Sequence, residues 1–149
     1  MSSTAAAEPI GLRPRRNWSR TLVPYVLIGP TVVIVLALMA SGLNGQNFTF
    51  HGYLPKDRTD RLKRLKELEA ASFRQNQTQI FMETPYHNDK LFEEIVTTCE
   101  PKTLLCVASG LTGPEEFIKT CAIEKWRKGP APSLDKKPTL FLLYKTPNK

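Results

Sequence analysis

Histidine and cysteine are scarce in this chain of 149 residues, with two of the first and three of the second. Cys99, Cys106 and Cys121 are odd in number and no two are spaced as C-x-x-C. His51 and His87 complete no metal-ligand pattern. A disulfide framework and a zinc-type centre therefore have no basis in the sequence, and no metal is expected. The cysteines read as small core residues of a protein kept in a reducing, intracellular compartment. Internal repeats are absent. The first twenty residues carry no apolar core followed by a small-residue cleavage site, which leaves secretion without a signal.

What is present suits one domain with its own core. Hydrophobic residues make up 41% and charged residues 23% of the chain, ordinary values for a globular protein. The net charge of +7 is unevenly spread. Basic residues dominate the N-terminal tail, Lys56–Arg74 and the stretch after Lys119, whereas the centre between them is acidic. That distribution can attract a polyanion such as RNA, although charge alone favours the plainer reading of solvated lysine-rich faces.

Residues 1–21 read as a disordered basic segment, 22–145 as the folded domain and 146–149 as a tail. Leu22–Ala40 carries no charge and supports two readings. One is a membrane span of about 20 apolar residues, with Arg13, Arg15, Arg16 and Arg20 holding its near end in the cytoplasm. The other splits the run at Gly29-Pro30 into a buried strand, Leu22–Ile28, and a buried helix opening at Pro30 and capped by Gly42. Phe48, Phe50 and Tyr53 mark a strand near 47–53. Lys56–Ala71 is a helix capped by Asp57 or Thr59, with a narrow Leu62, Leu65, Leu68 stripe and with Arg61 and Glu69 among its solvated charges. Gln77–Glu83 is a strand. Leu91, Phe92, Ile95, Val96 and Cys99 define one face of a helix over His87–Cys99. Thr103–Ala108 is a buried strand, Phe117–Cys121 an edge strand, Ile123–Lys128 a short helix and Leu140–Tyr144 a last strand. This order predicts an α/β domain with a mixed sheet. The corner Gln79–Asn88 places Glu83 where open α/β sheets bind ligands; an ordinary strand-to-helix turn with Glu83 capping the helix is the plainer alternative.

Several passages resemble one family. Gly29-Pro30 with Leu36-Ala37-Leu38-Met39-Ala40-Ser41-Gly42-Leu43 looks like the "GP-S-S … ASGL" passage of the tetrapyrrole-methylase-like S-adenosylmethionine enzymes. Phe50-His51-Gly52-Tyr53-Leu54-Pro55 followed by Arg61 resembles their "F-x-G-[FY]-L-P … R". Glu83-Thr84-Pro85-Tyr86-His87 is similar to "E-[ST]-P-[HY]-R". Leu111-Thr112, Glu116-Phe117-Ile118, Lys137-Pro138 and Leu140-Phe141-Leu142 follow in order. The branch it resembles includes the small-subunit ribosomal RNA 2′-O-ribose methyltransferases, and the resemblance runs from Val26 to Tyr144.

The resemblance implies the C-terminal domain of a two-domain enzyme that holds S-adenosyl-L-methionine in the cleft between domains and acts on ribosomal RNA in the cytoplasm. The first domain's glycine-rich loop has no counterpart, since no G-x-G-x-G or G-x-G-x-x-G occurs here. A complementing N-terminal half is therefore an implied partner, a homodimer another, and little activity is expected of this chain alone. Met39, Ala40, Ser41 and Gly42, Glu83, Thr84 and Pro85, and Val107, Ala108 and Ser109 are the implied cofactor half-site. His87 and Arg61 are the implied substrate contacts, and no catalytic residue is assigned. Thr31-Val32 replaces the family's small serine pair, His87 its usual arginine and Gly110 an acidic residue, each removing a polar group. The competing readings are a non-catalytic basic RNA-binding remnant and a small membrane-anchored protein using 22–40.

Overall fold

A computed structural model describes residues 18–147 of the chain, with side chains from 29 onward. The predicted basic segment, apart from its last residues, and the end of the tail lie outside the described residues. The elements are α1 (Trp18–Ser41), β1 (Phe48–Tyr53), α2 (Arg58–Gln75), β2 (Thr78–Met82), α3 (Asn88–Thr98), β3 (Leu104–Ser109), β4 (Phe117–Ala122), α4 (Ile123–Lys128) and β5 (Thr139–Tyr144). The five strands form one mixed sheet in the order β1-β2-β5-β3-β4. β1 and β2 are parallel, while β5 runs antiparallel to both β2 and β3. β4 pairs antiparallel with β3 and forms an edge, as its mixed composition predicts.

The predicted strand at Leu22–Ile28 is not there. The backbone is one continuous helix from Trp18 to Ser41, running through Pro24, Gly29 and Pro30. An interior proline costs about 3 kcal/mol through a lost hydrogen bond and a ring clash. That penalty is outweighed because the last turns dock on the sheet, where Ala37, Leu38 and Ser41 are buried. Ser41 Oγ donates to the Leu38 carbonyl at 2.6 Å and accepts the Leu43 amide at 3.1 Å. Gly42 then leaves the helix at φ +68°, the left-handed position that glycine fills without a Cβ penalty. Among the described residues no helix is long and apolar enough to cross a membrane.

Side-chain alternation splits the core into two layers. Phe81, Leu105, Val107, Phe141 and Leu143 point to α2, α3 and α4, and Phe81 stacks on Phe141 at 6.0 Å between ring centroids. Ile80, Cys106, Ala108, Leu140 and Leu142 point the other way, to α1. On the first side, Trp126 sets its ring edge-on to Phe92 at 5.3 Å and donates Nε1 to the Leu105 carbonyl. Glu69, expected in solvent, is buried; it accepts the Thr103 hydroxyl and the Glu100 amide. The period-3.6 stripe identifies the apolar residues of α2 but is blind to a polar residue whose partner comes from a distant loop. Cys99 and Cys106 are buried, and burial pushes the Cys99 thiol up to about 12, consistent with inert core cysteines.

Leu38 tests the docking of α1. Leu38→Ala is expected to lower the unfolding free energy by about 2–5 kcal/mol, as for other buried leucines, measured by urea denaturation. A loss of a few tenths would mean that α1 is not held on the sheet.

Candidate functional site

The carboxyl ends of β1, β2 and β3 and the amino end of β5 lie along one margin of the sheet, because β1, β2 and β3 point the same way and β5 opposes them. Two hollows open there, one on each face. They meet at the end of β2, where alternation sends Met82 to the α1 side and Glu83 to the α2–α3 side.

The first hollow is apolar, with a volume of about 490 Å³. Pro30, Val33 and Ile34 of α1 form one wall; Phe50, Met82, Ala108, Leu111, Pro138, Thr139 and Leu140 form the rest. A hydroxyl pair closes its margin: Thr139 Oγ1 donates to Ser109 Oγ at 2.9 Å. The Gly110 amide donates to the Pro138 carbonyl at 3.0 Å and fixes the loop beyond β3. Such a hollow suits an apolar group with one polar edge.

The second hollow is polar, about 320 Å³, and lined by Lys56, Arg61, Glu83, Thr84, His87, Lys90 and Leu91. Thr84 links the group: its hydroxyl lies 2.8 Å from His87 Nδ1, and its amide donates to Glu83 Oε1 at 2.8 Å. Glu83 does not cap α3; the cap position is His87, which makes no side-chain cap bond. Asn88 Nδ2 donates to the Lys137 carbonyl at 2.7 Å and the Lys136 amide donates to the Pro85 carbonyl at 3.1 Å. These bonds tie the corner to the loop before β5.

Arg61 is not the solvated side chain its charge suggested. It is 7% exposed, and its guanidinium grips both Glu94 oxygens, Nε to Oε2 at 2.5 Å and Nη2 to Oε1 at 2.8 Å. Nη1 donates to the Lys56 and Pro55 carbonyls at 2.9 and 3.3 Å. One side chain thus ties α2, α3 and the loop after β1 together. Gly52, at φ +68° beside an irregularity in β1, turns the strand into that loop. Hydrogen bonding to Arg61 holds the Glu94 carboxyl below its ordinary range, and the same bond raises the Arg61 guanidinium.

The remaining residues implied by the resemblance are dispersed. Ala108 lines the apolar hollow, and Ser109 joins its margin through Thr139. Val107 faces the opposite core layer. Met39 is 75% exposed and Ala40 is exposed. Ser41 accepts the Thr120 hydroxyl through its carbonyl at 2.8 Å, and the chain beyond Gly42 reaches Asn44, which bonds to Asn76 and Thr78 at the start of β2. Met39–Gly42 therefore lies towards the far margin of the sheet from Glu83–Pro85. The α1 residues at the hollow, Pro30, Val33 and Ile34, went unassigned in the sequence, although Gly29-Pro30 opened the first family passage.

No family model matches the chain. Over 91 residues it is 31% identical to a ribosomal RNA small subunit methyltransferase I from Buchnera aphidicola subsp. Baizongia pistaciae, covering 61% of this chain and 30% of that protein. The structure is similar to that of the methyltransferase CobJ, with 22% identity, a TM-score of 0.48, and coverage of 75% of this chain and 47% of that one. It is also similar to a uroporphyrin-III C-methyltransferase from Thermus thermophilus complexed with S-adenosyl homocysteine, at 15% identity, a TM-score of 0.43, and coverage of 73% and 49%.

The matched stretch spans about a third of the curated relative and about half of the solved chains.

Arg61 and Glu94 give a direct stability test. Arg61→Met alone leaves the buried Glu94 carboxylate with only the exposed Arg58 at 3.7 Å and is expected to cost about 3–5 kcal/mol, whereas Arg61→Met with Glu94→Leu is expected to recover most of that loss. Because the folded-state Glu94 is depressed, its contribution is present above the unfolded carboxylate range, near pH 4, and is lost as pH falls further. Acid unfolding of the double variant should therefore be less steep than that of the parent. Over those 91 residues the sequence likeness of the chain is to a ribosomal RNA small subunit methyltransferase.

Proposed function

We propose that the chain forms one wall of an S-adenosylmethionine-dependent methyltransferase that acts on ribosomal RNA. The supporting observation is the apolar hollow at the carboxyl margin of the sheet, in a chain whose sequence matches part of a ribosomal RNA methyltransferase. Its donor set fits such a cofactor on this side: Val33, Ile34, Met82 and Leu140 offer apolar walls to a flat base and a thioether, and Thr139 offers one hydroxyl. Held there by Val33, Ile34, Met82, Leu140 and Thr139, such a cofactor would supply an electrophilic methyl for an acceptor oxygen.

Little covalent help is needed for such a transfer; its demand is alignment and exclusion of water. Pro30, Val33 and Ile34 keep water from one side, and the Ser109–Thr139 pair fixes the margin. Thr84, His87 and Lys90 stand where an acceptor strand would approach, around the end of β2. The other wall belongs in this reading to the part of the relative outside the matched stretch, so weak cofactor affinity and little turnover are expected of this chain by itself. The cytoplasm is the compartment of such a substrate. A non-catalytic RNA-binding role keeps one specific support, the unpaired lysines at the polar hollow.

Titration calorimetry with S-adenosylhomocysteine tests the reading. Heat is expected below millimolar ligand, and Val33→Phe, which fills the hollow from a partly exposed wall, is expected to weaken binding roughly tenfold or more while the circular dichroism stays native. Silence up to millimolar ligand would end the cofactor reading. Mass spectrometry of ribosomal RNA with and without the gene tests the substrate: the RNA assignment fails if every methyl group survives the deletion.

A further inference from the structure

The charges of α2 are not evenly neutralised. Its carboxylates are mostly committed elsewhere: Asp57 accepts the Thr59 and Asp60 amides as the helix cap, Glu67 pairs with Arg64 at 3.3 Å, and Glu69 is buried against Thr103. At 100° per residue, Asp60 falls on the Arg64–Glu67 stripe. The neighbouring stripe carries Arg58, Thr59, Leu62, Lys63 and Lys66, which together line a shallow open groove that contains no carboxylate. Lys63 and Lys66 are exposed and form no ion pair among the described residues; the same holds for Lys56 and Lys90 at the polar hollow. Arg58 lies 3.7 Å from Glu94, whose charge is already matched by Arg61, and the hollow that joins Arg58 to Lys90 also carries the exposed carboxylate of Glu93, the one acidic interruption of the row.

We propose that this row, Lys66–Lys63–Arg58 leading to Lys90 and Lys56, holds the sugar–phosphate backbone of the RNA whose acceptor group enters the polar hollow. The proposal rests on the methyltransferase reading for the word acceptor, but the surface itself stands on charge and geometry. Lys66 and Arg58 are eight residues apart, about 12 Å along the helix axis, enough for two or more successive phosphates. A shallow groove with two long lysines outside any ion pair, Arg58 at its end and a single apolar floor residue, Leu62, suits a polyanion followed along its backbone; it offers no pocket that would read a base. The row ends where Thr84 and His87 meet the end of β2, so a strand lying on it is led to the margin shared by both hollows.

The test is RNA binding by the whole chain, read as fluorescence anisotropy of a labelled RNA hairpin over a salt series. Binding is expected to weaken linearly in log Kd against log salt. Lys63→Ala and Lys66→Ala are each expected to weaken binding several-fold and to reduce the slope by about 1. Lys102→Ala and Lys128→Ala, equally exposed but on the loop after α3 and on α4, are expected to leave both nearly unchanged. Equal effects from the two pairs would show attraction by net charge alone and overturn the proposal, as would salt-independent binding or none. Polyglutamate bound as tightly as the hairpin would also overturn it, in favour of an acidic protein partner. S-adenosylhomocysteine titration of the same variants separates the two readings. Cofactor heat retained with no lysine effect sinks this surface alone; lysine effects without any cofactor heat leave the surface standing and sink the enzyme.

Discussion

The insertion of β5 between β2 and β3 is the constraint on which the rest of the molecule depends. β5 is the last strand in the chain, yet it occupies the centre of the sheet, and its residues from Thr139 to Leu143 are all buried. It bonds to β2 on one side and to β3 on the other, both antiparallel. Without it, β1–β2 and β3–β4 are two separate ribbons, each too small to cover a core. Its direction also decides where function can sit. Three strand carboxyl ends and the loop entering β5 converge on one margin, so Glu83–Thr84, Ser109–Leu111 and Lys137–Thr139 become neighbours although they are distant in sequence.

The two faces of the sheet are covered unequally. α2, α3 and α4 close one face around Phe81, Phe141, Leu143 and Trp126. Among the described residues α1 alone lies on the other, with Ala37 and Leu38 of its last turns buried against the sheet. One helix cannot span a five-stranded sheet. The uncovered remainder is the apolar hollow beside Pro30, Val33 and Ile34, together with half-exposed Phe48 and Phe50 of β1, while Val32, Val35 and Leu36 of α1 are half-exposed on the helix itself. The hollow thus follows from helix count, and the long aliphatic run of α1 serves a sheet that offers it no flanking helix.

Much of the order was legible because it is written in local periodicity. Ile123–Lys128 is a helix at its predicted bounds. Asp57 caps α2 as its residue type suggests, and β4 lies at the edge. What was misread depends on partners far away in sequence. Pro24, Gly29 and Pro30 signal a break on any local scale, but the dock of Ala37 and Leu38 on the sheet overrides the signal. Arg61 and Glu69 are charged residues on a charged helix, and only Glu94 and Thr103, 33 and 34 residues on, draw them inside. For the site, Glu83–His87 was visible as a strand-to-helix corner. Met39–Gly42 was drawn into the same site by motif likeness, but a helix of 24 residues carries that segment towards the opposite margin.

Alternation at the end of β2 then links packing to chemistry. Ile80 and Met82 face α1, Phe81 and Glu83 face α2 and α3, and the strand stops there. The apolar and polar hollows therefore adjoin at the end of β2, with Met82 lining the first and Glu83 the second. A group held in the first and an acceptor approaching through the second would meet over Met82–Thr84. The backbone in between is tied down on both flanks, by Arg61 through the Pro55–Lys56 carbonyls and by Asn88 through the Lys137 carbonyl. Rigid flanks around a narrow divide are what a reaction governed by alignment requires. In this structure they are supplied by the Arg61–Glu94 ion pair and the Asn88 amide.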